Sequence, residues 1–193
     1  MNKKNNVIVT IGRQVGSGGR IVGKMLAERL EVPFYDKRIL DRASSESGIK
    51  NEFFERSDET FSPFRQIIGS AMSDVAMFQE QSNAILKAAE EGGAVFVGRC
   101  SDYILREHPH VVNVFLVAEM PDRVARAVEY FKASEQDALK LIREREKARS
   151  KYYSFFTDKT WGAAESYHLC LNTSLIGIEA CVDVILNYIN SIK

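Results

Sequence analysis

The fold is decided by a stretch near the start of the chain, Val7-Ile8-Val9-Thr10-Ile11-Gly12-Arg13-Gln14-Val15-Gly16-Ser17-Gly18-Gly19-Arg20. The β-branched run over residues 7–11 is typical of a buried parallel strand. The glycines that follow allow a sharp turn or a close approach to a ligand. Apolar residues then recur at helical spacing, at Ile21, Met25, Leu26 and Leu30. A strand, a glycine turn and a helix in this order predict an anion site, usually for phosphate, at the helix N-terminus.

The glycine turn matches two phosphate-binding motifs incompletely. The P-loop pattern G-x-x-x-x-G-K-[ST] puts Arg13 at its first glycine, Gly18 at its second and Gly19 at its lysine. The dinucleotide pattern G-x-G-x-x-G starts at Gly16 but meets Ile21 at its third glycine, with Asp36 available as the acid about 20 residues on. Because the third glycine allows close helix–strand packing, the spacing favours the phosphate loop. A glycine-rich turn that binds nothing is the alternative.

Composition limits the function classes. The 193 residues are 45% hydrophobic and 27% charged, which predicts one globular α/β domain over residues 1–193. Basic and acidic residues number 26 each, so the general basic excess of nucleic-acid binders is missing, and an anion site requires local clustering. The cysteines form no CxxC pair and have no metal-site spacing with the histidines, which predicts no protein-held metal. No apolar signal segment or membrane-length apolar run is present, and we therefore expect a cytoplasmic protein that does not enter a membrane.

Four further apolar runs, separated by helical patterns, complete a predicted five-stranded parallel sheet with helices on both faces. These runs cover residues 31–36, 94–97, 111–117 and 167–173. Polar residues follow two of the strands: Asp36, Arg38 and Arg42 after the second, and Arg99 after the third. Since ligands of open parallel sheets bind beyond the carboxyl ends of the strands, these side chains predict a second ligand site. Solvated helix charges are the alternative explanation.

Two segments are predicted to cover the site. Residues 134–162 contain a helix in which Arg145 and Arg149 share one face, and Glu144 and Glu146 are expected to pair locally. An aromatic, hinge-like end follows, so the segment is predicted to be a lid that closes over phosphates, with a solvated helix face as the alternative. Residues 44–91 are predicted to be a helical insert on the side of the second ligand site. Their apolar and aromatic content over 53–86 is explained equally by a homodimer surface and by local core.

Four stretches together resemble the cytidylate kinase-like proteins, a branch of the P-loop nucleoside monophosphate kinases. They are Gly16-Ser17-Gly18-Gly19-Arg20, Phe34-Tyr35-Asp36-Lys37, Val97-Gly98-Arg99-Cys100-Ser101-Asp102-Tyr103-Ile104-Leu105, and Leu169-Cys170-Leu171-Asn172-Thr173-Ser174 with Ile178-Glu179. They span nearly the whole chain in the expected order. The resemblance implies a P-loop NTPase-like three-layer α/β/α fold with a helical lid. It also implies ATP and Mg²⁺ as cofactors and small nucleotides as substrates, with CMP or dCMP as the phosphate acceptor.

The resemblance also assigns roles by position. The donor nucleotide would be held by the glycine loop and its flanks, Arg13, Gly16, Ser17, Gly18, Gly19, Arg20 and Ile21. The acceptor would be bound by Asp36, Arg38, Arg42, Arg99 and Asp102. Charge on the transferring phosphate would be neutralised by Arg20, Arg99, Arg145 and Arg149.

This chain departs from the family pattern at two places. Gly19 replaces the P-loop lysine, and Arg20 and Ile21 follow where a small residue and a threonine are usual. We expect Arg20 to supply the missing charge. Cys100 replaces the aspartate of a Gly-Arg-Asp triplet, with Asp102 as its substitute. Two other functions stay open: a nucleotide-binding regulatory module without turnover, and a nicotinamide-binding protein that uses Asp36 on a ribose.

Overall fold

A parallel β-sheet of five strands forms the centre of the protein, a computed structural model in which residues 6–36 and 71–192 are described. The strands are β1 (Ile8–Arg13), β2 (Phe34–Tyr35), β3 (Ala94–Val97), β4 (Val111–Val117) and β5 (Leu169–Asn172). Their order in the sheet is β2-β3-β1-β4-β5, and every neighbouring pair is parallel. The predicted five-stranded parallel sheet is confirmed.

Helices connect the strands. They are α1 (Gly19–Leu30), α2 (Ala71–Glu90), α3 (Ser101–Ile104), α4 (Met120–Phe131), α5 (Glu135–Thr157) and α6 (Thr173–Ser191), with a 3₁₀ turn at Ala164–Ser166. The start of α5 is capped, because the Ser134 side chain accepts a hydrogen bond from the Asp137 N–H at 3.2 Å. α6 is interrupted at Gly177, whose φ of 82° and ψ of 167° are not helical.

The alternation of side chains along β1 divides the core into two layers. Val9 and Ile11 are fully buried in a cluster with residues of α1 and α6, such as Leu26 and Ile185. Ile8 points to the opposite face, into a cluster with Phe96 of β3 and residues of α2. The helices therefore cover both faces of the sheet, and the carboxyl ends of its strands stay open for the site.

Two predicted strands are shorter in the structure. β2 begins at Phe34 because the Val32 N–H donates to the Ala27 carbonyl at the end of α1, and Pro33 has no N–H to offer. β5 begins at Leu169 because the Tyr167 N–H donates to the Ala164 carbonyl within the 3₁₀ turn. Both ends are fixed by local hydrogen bonds that an apolar pattern does not reveal.

The aromatic end of α5, for which a hinge-like role is predicted, is a packed cluster in this arrangement. α5 continues through these residues to Thr157. Tyr152 and Tyr153 are buried, and Phe156 stacks on Phe78 of α2 with ring centroids 4.1 Å apart. In this arrangement the aromatic side chains hold the end of α5 against its neighbours. The predicted helical insert covers residues 44–91, of which residues 44–70 lie outside the described residues. Its remaining part forms α2, as the helical pattern predicts.

Within residues 6–36 and 71–192, every helix is too short or too polar to cross a membrane.

Candidate functional site

A cavity of about 660 Å³ opens where β1 ends and α1 begins. Its volume is that of a typical small-molecule site. The lining residues are Arg13, Gln14, Val15, Gly16, Gly18, Gly19, Arg20, Ile21, Asp36, Val97, Arg126, Ala127, Glu129, Tyr130, Phe131, Lys132, Arg145 and Arg149. The structure therefore brings the glycine turn and the two arginines of α5 to one cavity, although more than a hundred residues separate them in the chain.

The cavity is strongly cationic. Among the described residues, six basic side chains line it, namely Arg13, Arg20, Arg126, Lys132, Arg145 and Arg149. The acidic side chains of the same lining are Asp36 and Glu129. Because the whole chain has equal numbers of basic and acidic residues, this excess is local. Such a concentration of positive charge in a concave site favours a polyanionic ligand.

The glycine turn presents the N-terminus of α1 to this cavity. Gly16 and Gly18 both have φ of 79°, and Gly18 is the left-handed N-cap residue of α1. The Gly18 carbonyl accepts hydrogen bonds from the N–H groups of Ile21 at 2.9 Å and Val22 at 3.0 Å, which begins the helix tightly. The positive end of the helix dipole therefore adds to the charge of the arginines.

Ser17 is the one loop residue that the structure does not bring to the cavity lining. It is fully buried, and both its N–H and its hydroxyl donate to the Gln14 carbonyl, at 3.3 and 2.9 Å. Its own carbonyl accepts a hydrogen bond from the Thr173 hydroxyl at 2.8 Å. In this arrangement its polar groups hold the turn together, and its contact with a nucleotide stays a prediction.

Arg20 and Asp36 form an ion pair at the rim of the cavity. The Arg20 Nε lies 2.7 Å from the Asp36 Oδ2. The Arg20 side chain is more than half exposed, whereas the Asp36 side chain is almost buried. The negative charge of Asp36 therefore offsets part of the charge that we expected Arg20 to offer to phosphates.

The two arginines predicted on α5 face the cavity together. The Arg145 guanidinium lies 4.3 Å from the centroid of the Phe131 ring, a cation–π contact with the end of α4. Arg149 Nη1 donates a long hydrogen bond of 3.4 Å to the Arg13 carbonyl. Both side chains are thus oriented by residues that also line the cavity, as their shared helix face predicts.

Glu146, between these arginines, ties α5 to the glycine turn. Its Oε1 lies 2.6 Å from Arg123 Nη2 and accepts a hydrogen bond from the Val15 N–H at 3.4 Å. Arg123 is buried on α4, and its Nε donates to the Val15 carbonyl at 2.8 Å. The expectation that Glu146 pairs locally is wrong, because its side chain points to α4 and the loop. Arg143 and Lys147 are exposed on the other face of α5.

A second, much smaller cleft adjoins the first. It holds about 30 Å³ and is lined by Gly12, Arg13, Gly98, Arg99, Cys100, Asp102, Arg149, Tyr152, Tyr153, Trp161 and Tyr167. Of the residues predicted to bind the acceptor, Arg99 and Asp102 lie here and Asp36 lies in the large cavity. Arg38 and Arg42 lie outside the described residues. Arg13 and Arg149 line both spaces and therefore form the wall between them.

Asp102 is held in a hydrogen bond within this cleft. The Tyr153 hydroxyl donates to Asp102 Oδ2 at 2.6 Å. Burial raises the pKa of the Asp102 carboxyl above 3.8, and the hydrogen bond from Tyr153 opposes that rise. Burial also raises the pKa of Tyr153, with the negative charge of Asp102 adding to the effect. In this arrangement the cleft has room for about one water molecule, which is too little for a nucleotide.

Sequence reasoning missed Arg123 and Arg126. Arg126 lines the large cavity, and its Nη1 donates to the Gly16 carbonyl at 3.0 Å. Arg123 holds the other side of the loop through Val15. The two are spaced i, i+3 directly after β4, a spacing that puts both on one helix face. This spacing was the signal available in the sequence, just as the i, i+4 spacing was for Arg145 and Arg149.

The lining residues fit Mg²⁺ only when a nucleotide brings phosphate oxygens. In the described part of the chain, no three His, Cys, Asp or Glu side chains are grouped to hold a metal ion. Mg²⁺ commonly binds through one or two carboxylates, phosphates and water. Asp36 lines the cavity and fits that limited role, whereas Arg20 and Ile21 stand where a small residue and a threonine are usual.

Comparisons with known proteins agree with this geometry. The family model described as "Cytidylate kinase-like family" matches residues 8–175. A protein named cytidylate kinase from Pyrobaculum islandicum is 24% identical over 184 residues, which cover 95% of this chain and 92% of that protein.

Solved structures show the same fold. A crystal structure of an uncharacterized protein from Eubacterium ventriosum has a TM-score of 0.79 and 28% identity, covering 96% of this chain and 99% of that one. Shikimate kinase from Bacteroides thetaiotaomicron has a TM-score of 0.58 at 16% identity, covering 95% and 98%. The predicted P-loop NTPase-like three-layer α/β/α fold is therefore confirmed. The match over most of the chain shows that this protein belongs to the cytidylate kinase-like family.

Proposed function

We propose that this protein is a nucleotide kinase that transfers the γ-phosphoryl group of ATP to a nucleoside monophosphate, with CMP or dCMP as the acceptor. The observation that carries this proposal is the cationic cavity at the N-terminus of α1, with six basic and two acidic lining side chains. Its volume of about 660 Å³ suits nucleotide-sized ligands. Family membership and relatives named cytidylate kinase support the same reaction class.

In this proposal, an oxygen of the acceptor phosphate attacks the γ-phosphorus of ATP, the bond to the β-phosphate oxygen breaks, and ADP leaves. The reaction needs positioning and charge neutralisation, and no covalent protein intermediate. The glycine turn and the start of α1 would hold the donor phosphates. Arg145 and Arg149 would neutralise the transferring group, and Asp36 would hold the water shell of Mg²⁺, which supplies further positive charge.

The acceptor side is the less complete part of the proposal. Asp36, Arg38, Arg42, Arg99 and Asp102 remain its proposed residues. Since Arg99 and Asp102 line a cleft of about 30 Å³, that cleft has to widen before a nucleotide phosphate enters it. Residues 134–162, which include α5, are proposed to be the lid whose movement opens this space.

A screen for ADP release tests the proposal. The purified protein, ATP and Mg²⁺ are incubated with each common nucleoside monophosphate, and ADP is measured by a coupled assay. We expect turnover with CMP or dCMP. Arg149→Ala should lower that turnover on the order of 10²–10⁵-fold, the upper end being the effect of losing an arginine finger. Arg143→Ala, an exposed arginine on the other face of the same helix, is the matched control and should retain wild-type turnover.

A nucleotide-binding regulatory module is the second candidate. It is favoured by the inward orientation of the Ser17 hydroxyl and by the closed Tyr153–Asp102 cleft. It predicts that ATP binds in calorimetric titration while no monophosphate supports ADP release. That result would overturn the kinase proposal. A homodimer and a cytoplasmic location are also proposed. Size-exclusion chromatography tests the oligomeric state, and cell fractionation tests the location.

A further inference from the structure

The side chain of Arg13 takes an unusual path from the end of β1. A Cβ atom built on Gly19 would lie 2.7 Å from the Arg13 Cβ and 2.8 Å from its Cγ. A Cβ atom built on Gly98 would overlap Nη1 of Arg13 and lie 2.6 Å from its Cζ. Arg13 therefore starts against the first residue of α1 and ends with its guanidinium over the glycine that follows β3. Its path crosses the carboxyl edge of the sheet, where the two strands are neighbours.

The two glycines are explained by this path. Real Cβ atoms essentially never approach another atom within 3.0 Å, so any other residue at position 19 would displace the stem of Arg13. Gly98 also has φ of 79°, which side chains rarely adopt. A lysine at position 19 and an arginine at position 13 therefore cannot both be accommodated without a shift of the Arg13 stem. The glycine that stands in place of the P-loop lysine leaves room for the Cβ and Cγ of Arg13.

The position of Arg13 is suited to phosphate. Its side chain is half-buried and lines both the large cavity and the small cleft. A planar guanidinium donates several hydrogen bonds in a fork and can bridge oxygens of two neighbouring phosphate groups. Arg20, the other arginine next to the missing lysine, has its Nε bound to the Asp36 carboxylate at 2.7 Å. Arg13 lines both the large cavity and the small cleft, whereas Arg20 lines the large cavity, so Arg13 is the better placed replacement for the lysine.

We propose that Arg13 is the phosphate-loop cation of this protein, and that the usual glycine and lysine of the loop have been exchanged for Arg13 and Gly19. The inference rests on the proposed function, because it assumes that the large cavity binds the phosphates of a nucleotide. It adds that the Arg13 guanidinium contacts phosphate groups in both the large cavity and the small cleft, because Arg13 lines both. It also reverses the expectation that Arg20 supplies the missing charge.

Titration calorimetry with inorganic tripolyphosphate tests the charge, independently of turnover and of base recognition. We expect Arg13→Ala to weaken tripolyphosphate and ATP binding on the order of 10- to 100-fold, as for a lost charge-assisted hydrogen bond. Arg29→Ala is the matched control, because Arg29 pairs with Asp183 on an exposed surface and should leave the affinity unchanged. If Arg13→Ala binds tripolyphosphate within twofold of wild type, the inference is overturned. If wild type binds neither ligand, the proposed function fails as well.

The steric part has its own test. Gly19→Ala should lower the midpoint of thermal unfolding in the wild-type background and have a much smaller effect in the Arg13→Gly background, because Arg13→Gly removes both the Cβ and the Cγ that the new methyl group would meet. Equal effects in both backgrounds would overturn the reciprocal exclusion. The exchange variant Arg13→Gly with Gly19→Lys rebuilds a loop with the usual glycine and lysine. We expect it to regain at least tenfold in tripolyphosphate affinity over Arg13→Ala, whereas a folded exchange variant with no gain would contradict the proposal.

Discussion

Removal of the Glu146 carboxylate should destabilise the protein far more than removal of a surface carboxylate. In Glu146→Ala, Arg123 stays buried on α4 without the carboxylate that lies 2.6 Å from its Nη2, and the Val15 N–H loses its acceptor. Breaking a buried ion pair on one side costs about 3–5 kcal/mol. The side chain of Arg123 is 5% exposed and that of Glu146 is 22% exposed, which places the expected loss at the lower end, about 3 kcal/mol.

Equilibrium unfolding in urea measures this loss. With a slope of about 2–3 kcal/mol per M, the midpoint should fall by about 1–1.5 M urea. Asp183→Ala is the control, because Asp183 lies 2.6 Å from Arg29 but both side chains are about half exposed, and such pairs contribute about 0–1 kcal/mol. The reasoning is refuted if Glu146→Ala lowers the free energy of unfolding by less than about 1 kcal/mol, as is expected of the control. In that case Glu146 does not tie α5 to the glycine turn as described.

Three further predictions concern stability and thiol accessibility. Burial raises the pKa of Asp102 in the folded protein above 3.8, its value in the unfolded chain, so ionisation of Asp102 costs stability. Wild type should therefore lose stability relative to Asp102→Asn as the pH rises from below 3.8 through the folded pKa. The expected loss is about 1.4 kcal/mol for each unit by which the pKa is raised. Urea unfolding at several pH values checks this, and a pH-independent difference would contradict it. Thr173→Val leaves the Ser17 carbonyl without its buried hydroxyl donor and should cost about 1–3 kcal/mol in the same assay, with a cost near zero as the opposing result. Cys170 is exposed and the other two cysteines are buried, so a chromogenic disulfide reagent should titrate one thiol readily in the native protein and all three in urea; rapid reaction of two or three native thiols would argue against the fold.

The elements that the sequence predicts best are those defined by their own residues. β3 and β4 have the predicted bounds, because each is a short apolar run that is largely buried. The position of the glycine turn follows from the strand before it and the helix after it. The common face of Arg145 and Arg149 follows from helical geometry alone.

Contacts between distant segments were not predictable in the same way. Helical periodicity gives the face of Glu146 but not that Arg123 lies opposite, because the packing of α4 against α5 is decided by the whole fold. For the same reason the sequence grouped Asp36 with Asp102, whereas the structure separates them into different spaces. The pattern also gave no sign that the aromatic end of α5 would pack against Phe78.

The central position of β1 has a consequence for how the chain folds. β1 comes first in sequence, yet both of its neighbours in the sheet come late: Ile8 pairs with Ala94 of β3 and with Val111 of β4. At about 5–20 residues per second, the ribosome needs roughly 4–17 s to add the residues between Ile8 and Ala94. During that time the central strand of the sheet has no described partner strand, and its apolar residues are exposed to other chains and to chaperones. The strand that precedes the glycine turn is thus the first of the five described strands to be synthesised, although it gains its neighbours in the sheet only late.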